Sequence, residues 1–221
     1  MTMISLDSLD LAALLCSRVC HDVISPVGAV VNGLEVLDEE KDESMRSFAQ
    51  DLIRKSARQA SARLQFARIA FGAAGSAGAS IDTGDAEQVA RGFIHDDKMQ
   101  LTWNAQRVLM PKNKVKLLLN LLVIAMTTIP RGGTIDVVID GDGDAAKLKI
   151  TTRGLNSRIP NGVEALLRGA PESGSVDAHG IQPYYTGLIA RAAKLDVTLT
   201  RVEDTVTIEA LPPAALDAVA A

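Results

Sequence analysis

His21-Asp22-Val23-Ile24-Ser25-Pro26-Val27 opens the stretch that decides the architecture. From it, Val23, Val27, Val30, Leu34 and Leu37 recur at spacings of 4-3-4-3, the apolar seam of a helix in a bundle. With that seam at zero and ~100° per residue, His21 falls at about 160°, and Arg18, Ser25, Gly28 and Asn32 fall within roughly 60° of it. The histidine is thus expected to point away from the core, on a face of polar or small neighbours. Leu14, one heptad earlier, shares that face, either as a docking contact or as an ordinary exposed leucine. Cys16 and Cys20 fall within about 60° of the seam and read as small core residues.

A second helix follows the charged tract Asp38-Glu39-Glu40-Lys41-Asp42-Glu43. Ile53, Ala57, Ala60, Leu64, Ala67 and Phe71 repeat the 4-3 spacing, and Arg46, Arg54, Lys55, Arg58, Arg63 and Arg68 form a basic face against one acid, Asp51. Such a face is either simply solvated or steers an acidic partner. Two helices cannot enclose a core alone, so a homodimer with a four-helix bundle is expected. A helical domain thus spans 1–72, a small-residue linker 73–80, and a second domain 81–221. In the second domain, strands at Met99–Trp103, Thr134–Ile139, Leu148–Thr152, Val197–Val202 and Thr205–Ala210 interleave with helices at Lys112–Thr128, Gly162–Leu167 and Thr186–Lys194. The whole reads as α+β: a helical hairpin followed by an α/β sandwich.

Composition narrows the function. With two cysteines and three histidines in 221 residues, neither a disulfide framework nor a Cys-based zinc module can be built. Seven aromatics and a net charge of −4 argue against a nucleic-acid surface. Val115–Ile129 carries Lys116 and Asn120 and is too short to span a bilayer, so no membrane partner and a cytoplasmic location are expected. Asp140, Asp142 and Asp144 lie in a glycine-rich turn without the closing glutamate of a calcium loop. His95 and His179 sit in no motif.

The outward His21 with an acid at +1 and a proline at +5, on the first helix of a hairpin, resembles the H-box of sensor histidine kinases. The chemistry suits those residues. A neutral imidazole can attack phosphorus near neutral pH. Asp22 can take a hydrogen bond from the other ring nitrogen and fix the tautomer. Pro26 has no N–H, so the Asp22 carbonyl loses its helical partner and the helix is expected to bend there. Ser25, one turn on, either meets a phosphoryl oxygen or is merely exposed.

The second domain is similar to a kinase ATP-binding domain in element order. Val115–Ala125 looks like the N-box helix, Pro130–Val137 like the turn and strand after it, and Val197–Thr200 with Thr205–Pro212 like the terminal hairpin. By that resemblance the nucleotide boxes are degenerate. Ile124 stands at the metal-binding asparagine, with Asn120 one turn earlier. Thr152-Arg153-Gly154-Leu155-Asn156 replaces D-x-G-x-G, and Gly180-Ile181-Gln182-Pro183-Tyr184-Tyr185-Thr186-Gly187 replaces a glycine-rich phosphate cradle. A kinase scaffold with its histidine and without its nucleotide site resembles the dimeric histidine phosphotransferases of the ChpT type, which serve alphaproteobacterial cell-cycle phosphorelays. The resemblance implies that His21 takes a phosphoryl group from the receiver domain of a hybrid histidine kinase and yields it to response regulators. It implies Mg²⁺ on the receiver, no cofactor bound by this chain, and a docking role for the second domain. Asp22 would assist chemically, Arg18, Ser25 and Pro26 would shape the site, and Leu14, Gly28, Asn32, Arg58 and Arg63 would face the partner.

Overall fold

The computed structural model describes residues 3–72, 79–94 and 98–213; most of the expected linker (73–78) and His95 lie outside the described residues. Helix α1 (Ser8–Glu39) starts where the Asp7 carboxylate accepts from the backbone N–H groups of Leu9 and Asp10, both at 2.8 Å. It is by length and composition apolar enough to cross a bilayer. Pro26 and Gly33, however, are buried, and the Arg18–Asp22 ion pair lies at its middle, so α1 is packed as one arm of a hairpin. The acidic tract makes the turn. The Glu40 carboxylate accepts from the N–H groups of Lys41 and Asp42, which holds it below the usual carboxylate range. Asp42 then caps helix α2 (Glu43–Ala70) through Met45. Arg46 donates to the carbonyls of Leu37 and Glu40 at 2.5 and 2.9 Å, supplying donors that the end of α1 lacks. At Gly33 the two helices approach so closely that an added Cβ would lie 2.6 Å from Ile53 Cγ1.

The second domain follows as β1 (Ser80–Asp82), α3 (Thr83–Phe93), β2 (Met99–Asn104), β3 (Leu109–Pro111), α4 (Lys112–Thr128), β4 (Gly133–Asp140), β5 (Lys147–Arg153), α5 (Val163–Arg168), α6 (Ile181–Ala192), β6 (Asp196–Val202) and β7 (Thr205–Leu211). Five strands form one sheet in the order β2-β4-β5-β7-β6, with β2 parallel to β4 and the other pairings antiparallel. β1 and β3 form a separate antiparallel pair. Strand alternation is strict where one face is covered: Leu148, Ile150 and Thr152 of β5 and Val206, Ile208 and Ala210 of β7 are buried, with the intervening residues toward solvent. Helix α4, apolar nearly all round, is buried between the sheet, α3 and α6. The expected α+β architecture and all five expected strands are present. Helix α3 and the β1–β3 pair went unread, and α6 begins five residues earlier than expected. Asp142 and Asp144 make a turn after β4, where the Asp144 and Ala146 carbonyls accept from the buried Lys114 ammonium at 2.6 and 3.0 Å.

Among the described residues, hydrogen bonds fasten the hairpin to this domain at two places. At the C-terminus of α2 the last carbonyls have no helical donors. Asn120 Nδ2 of α4 donates to the Ala70 carbonyl at 2.9 Å, and the Tyr185 hydroxyl of α6 donates to the Phe71 carbonyl at 3.3 Å. Gln182 of α6 in turn donates to Asn120 Oδ1 and to its carbonyl, at 3.2 and 2.9 Å, so the buried amides satisfy one another. Ahead of α1, the Tyr184 hydroxyl donates to the Ile4 carbonyl and accepts from the Leu6 N–H, while Ile4 N–H donates to the Gly169 carbonyl at 2.8 Å. Removing the centre of the first clamp, by Asn120→Ala, leaves the Ala70 carbonyl without its donor and takes Oδ1 from the Gln182 amide, which keeps the backbone carbonyl of residue 120. It is expected to lower stability by roughly 2 kcal/mol or more in urea unfolding. A change within about 0.5 kcal/mol would show that the junction does not hold the hairpin.

Candidate functional site

His21 lies midway along α1 with 80% of its side chain exposed. Its Nδ1 is 3.3 Å from Asp22 Oδ1, and the other oxygen of that carboxylate accepts from Arg18 Nε at 3.0 Å. One turn of helix therefore carries a line from guanidinium to carboxylate to imidazole. The Asp22 side chain is 25% exposed and its charge is shared between two partners. With Nδ1–H donating to the carboxylate, the lone pair of Nε2 is left outward, and no group among the described residues bonds it. The site rests on the junction of the two domains: Arg18, Val19 and Asp22 meet Phe66 of α2, Phe93 of α3 and Val123 of α4 around a small cavity. Phe66 and Phe93 stack there with centroids 4.0 Å apart.

The helix continues through Pro26, which is buried. The carbonyl of Asp22, deprived of its donor four residues on, accepts instead from the Arg63 guanidinium of α2. Arg63 is half-buried and committed to α1, whereas the sequence reading placed it on the face that meets a partner. The expected basic face of α2 is thus divided. Arg46 and Arg63 turn inward to carbonyls of α1, while Arg54 pairs with Asp51 at 3.2 Å and Lys55, Arg58 and Arg68 stay exposed. Sequence held one signal for this: a helical proline leaves a carbonyl that needs a donor. Which arginine supplies it depends on the register of the hairpin.

Around His21, Ser25 and Asn32 are exposed as expected; Gly28 and Leu14 are half-buried. The cysteines are a correction: Cys16 and Cys20 are both exposed, not in the core. The single seam of the sequence reading is two faces. Val23, Val30 and Leu37 are half-buried toward α2, whereas Val27 and Leu34 are exposed together with Ile24 and Val31. Cys16, Cys20, Ile24, Val27, Val31 and Leu34, spaced 4-4-3-4-3, form an apolar stripe beside the His21 face. The hydrogen-bonded Cys16 thiol and its charge push the Cys20 thiol above its ordinary value.

In the second domain the boxes read as degenerate have structural occupations. Asn120 holds α2 and Gln182, and Ile124 is buried in the core. The Thr152 hydroxyl lies 2.7 Å from that of Thr128, between α4 and β5. Residues 181–187 are the first turns of α6, whose Gln182, Tyr184 and Tyr185 are the clamps described above. Gly187 is required by close packing, since a Cβ there would meet the Leu167 carbonyl oxygen at 2.0 Å.

A histidine presented on a hairpin that is clamped to an α/β sandwich defines a class, and comparison with known proteins agrees with it. Residues 83–205 match the family model of the histidine phosphotransferase C-terminal domain. The protein phosphotransferase ChpT of Brucella abortus (strain 2308) is 50% identical over 208 residues, 94% of this chain and 98% of that one. The 1.7 Å structure of a bacterial phosphotransferase is 47% identical and superimposes with a TM-score of 0.87 over 95% of this chain and 100% of its own. The chain belongs to the histidine phosphotransferases of the ChpT type. His21 itself lies outside the stretch that the family model covers.

Because His21 is so exposed, His21→Ala is expected to leave stability within about 0.5 kcal/mol of wild type. Gly33→Val, which forces the helices apart, is expected to cost more than about 1 kcal/mol. Urea unfolding of both variants checks this; a marked loss for His21→Ala would mean that the imidazole is structural.

Proposed function

We propose that His21 accepts a phosphoryl group from the phosphorylated aspartate of a hybrid-kinase receiver domain and passes it to the receiver of a response regulator. The observation that carries this reading is the exposed imidazole whose Nδ1 is held by Asp22 while Nε2 is unengaged. In the forward step the Nε2 lone pair forms the N–P bond as the P–O bond to the receiver aspartate breaks and the carboxylate leaves with the electron pair. No proton has to be removed from the ring. Nδ1–H stays on Asp22 Oδ1, which stabilises the positive charge that the imidazole acquires. The second transfer reverses this toward another aspartate. Mg²⁺ on the receiver would neutralise phosphoryl oxygens, so this chain contributes position and the Arg18–Asp22–His21 line. Of the remaining residues read as partner-facing, Asn32 and Arg58 are exposed and open to a receiver, as is Ser25, read as shaping the site.

The protein works without ATP in this reading. Asn120 and Gln182 cannot turn toward a nucleotide without undoing the clamp on α2, and α6 presents Pro183 and two tyrosines where a phosphate would need backbone N–H groups. It works as a homodimer, in the cytoplasm. The stripe from Cys16 to Leu34 is an apolar face that a second copy would cover to make a four-helix bundle. Leu34→Asp is accordingly expected to halve the mass of the particle in light scattering and to raise the reactivity of Cys16 and Cys20 toward a thiol reagent. A wild-type particle of one chain would contradict the dimer.

The relay is tested by mixing the protein with an aspartyl-phosphorylated receiver and then with a second receiver. Phosphate is expected to reach the second receiver through an acid-labile species, and His21→Ala to abolish this. Equal transfer by His21→Ala, or autophosphorylation with ATP, would overturn the reading. Loss of receiver phosphate with no phosphohistidine would make the protein a phosphatase instead.

A further inference from the structure

We propose that Arg63 is a positioning residue for phosphoryl transfer, standing in for the N–H that Pro26 lacks; this rests on the relay reading above. Three groups on one helical turn must be in register for Nε2 to carry the reactive lone pair: Arg18 Nε on Asp22 Oδ2 at 3.0 Å, Asp22 Oδ1 at 3.3 Å from His21 Nδ1, and the Asp22 backbone beneath both. In an unbroken helix the residue at 26 would fix that backbone by donating to the Asp22 carbonyl. Proline, buried at this position, cannot. The Arg63 guanidinium, 41 residues on and from the facing helix, donates to the same carbonyl.

Arg63 therefore ties the turn bearing His21 to α2 at that height, as Gly33 and Ile53 tie it lower down. If the Asp22 backbone drifts, Oδ1 leaves Nδ1, and the tautomer with Nε2 protonated, which has no lone pair to offer there, gains population. Arg63 would act on the rate of the chemical step and not on receiver affinity. Arg63 lines the same small cavity as Arg18, Asp22 and Phe66, half-buried, and its guanidinium is committed to the Asp22 carbonyl.

The discriminating donor is phosphoramidate, too small to contact α2 while His21 attacks it: the N–P bond to Nε2 forms as the phosphorus–nitrogen bond of the donor breaks and ammonia leaves. Wild type, Arg63→Met, Pro26→Ala and the double variant are charged with phosphoramidate, and the appearance of phosphohistidine is timed. Far-UV circular dichroism at the assay temperature accompanies each variant. Arg63→Met is expected to slow charging by about tenfold or more, since small misplacements of a reacting group are that costly. Adding Pro26→Ala, which restores an N–H to the Asp22 carbonyl, is expected to bring the rate back to within about threefold of the Pro26→Ala rate. Because rescue comes from a different residue, general destabilisation by Arg63→Met does not imitate it.

Unchanged charging of Arg63→Met by phosphoramidate, or a double variant no faster than Arg63→Met, would overturn the proposal. Slowing seen only with a phosphorylated receiver would make Arg63 a partner contact and overturn it equally. A wild-type protein charged by phosphoramidate but never by a phosphorylated receiver would instead overturn the relay reading and leave the Arg63 result standing.

Discussion

A helix that ends inside a protein must find donors for its last carbonyls, and the C-terminus of α2 finds them in the second domain. Asn120 takes the Ala70 carbonyl and Tyr185 the Phe71 carbonyl, while Lys116 Nζ lies 5.6 Å over the Tyr185 ring. The side chains that do this stand in the segments corresponding to nucleotide boxes in the kinase-like reading. One set of residues thus fixes the hairpin. The Tyr184 strap at Ile4 and Leu6 adds a second attachment at the start of α1. Between the two, the turn that carries His21 and Asp22 meets Phe93 of α3 and Val123 of α4 around one small cavity.

The same economy recurs higher in the hairpin. Arg46 supplies donors to the end of α1 and Arg63 supplies one to its interrupted middle. Both arginines belong to a helix that looks uniformly basic in sequence, yet they serve backbone carbonyls and not solvent. Lys55, Arg58 and Arg68 remain outward.

Much of this was legible in the sequence, and the limits are physical. The strands β2, β4, β5, β6 and β7 were readable because alternation survives wherever one sheet face is solvated. Helix α3 was missed although it was legible: Asp82 caps it, and Ala86, Val89, Ala90 and Phe93 stand at i, i+3, i+4 and i+7 on its packed face, a short but regular signal. His21 and Asp22 were singled out by the apolar spacing of α1 together with the resemblance to an H-box. The cysteines were misplaced because one heptad seam cannot distinguish the face that meets α2 from the face left open in a single chain, and Cys16 and Cys20 lie on the second. Arg63 and Asn120 acquire their roles through contacts 41 and 50 residues away in sequence, which no periodicity reports.

At the centre of the account is one nitrogen, His21 Nε2, unengaged and backed by Asp22. The most direct test is to map the phosphoryl group after mixing the protein with an aspartyl-phosphorylated receiver, using phosphorus NMR and mass spectrometry under alkaline conditions that preserve phosphohistidine. The account predicts a single phosphorylated residue, His21, substituted at Nε2. Phosphate at Nδ1, at any other residue, or none on this chain while the receiver stays competent, would contradict it.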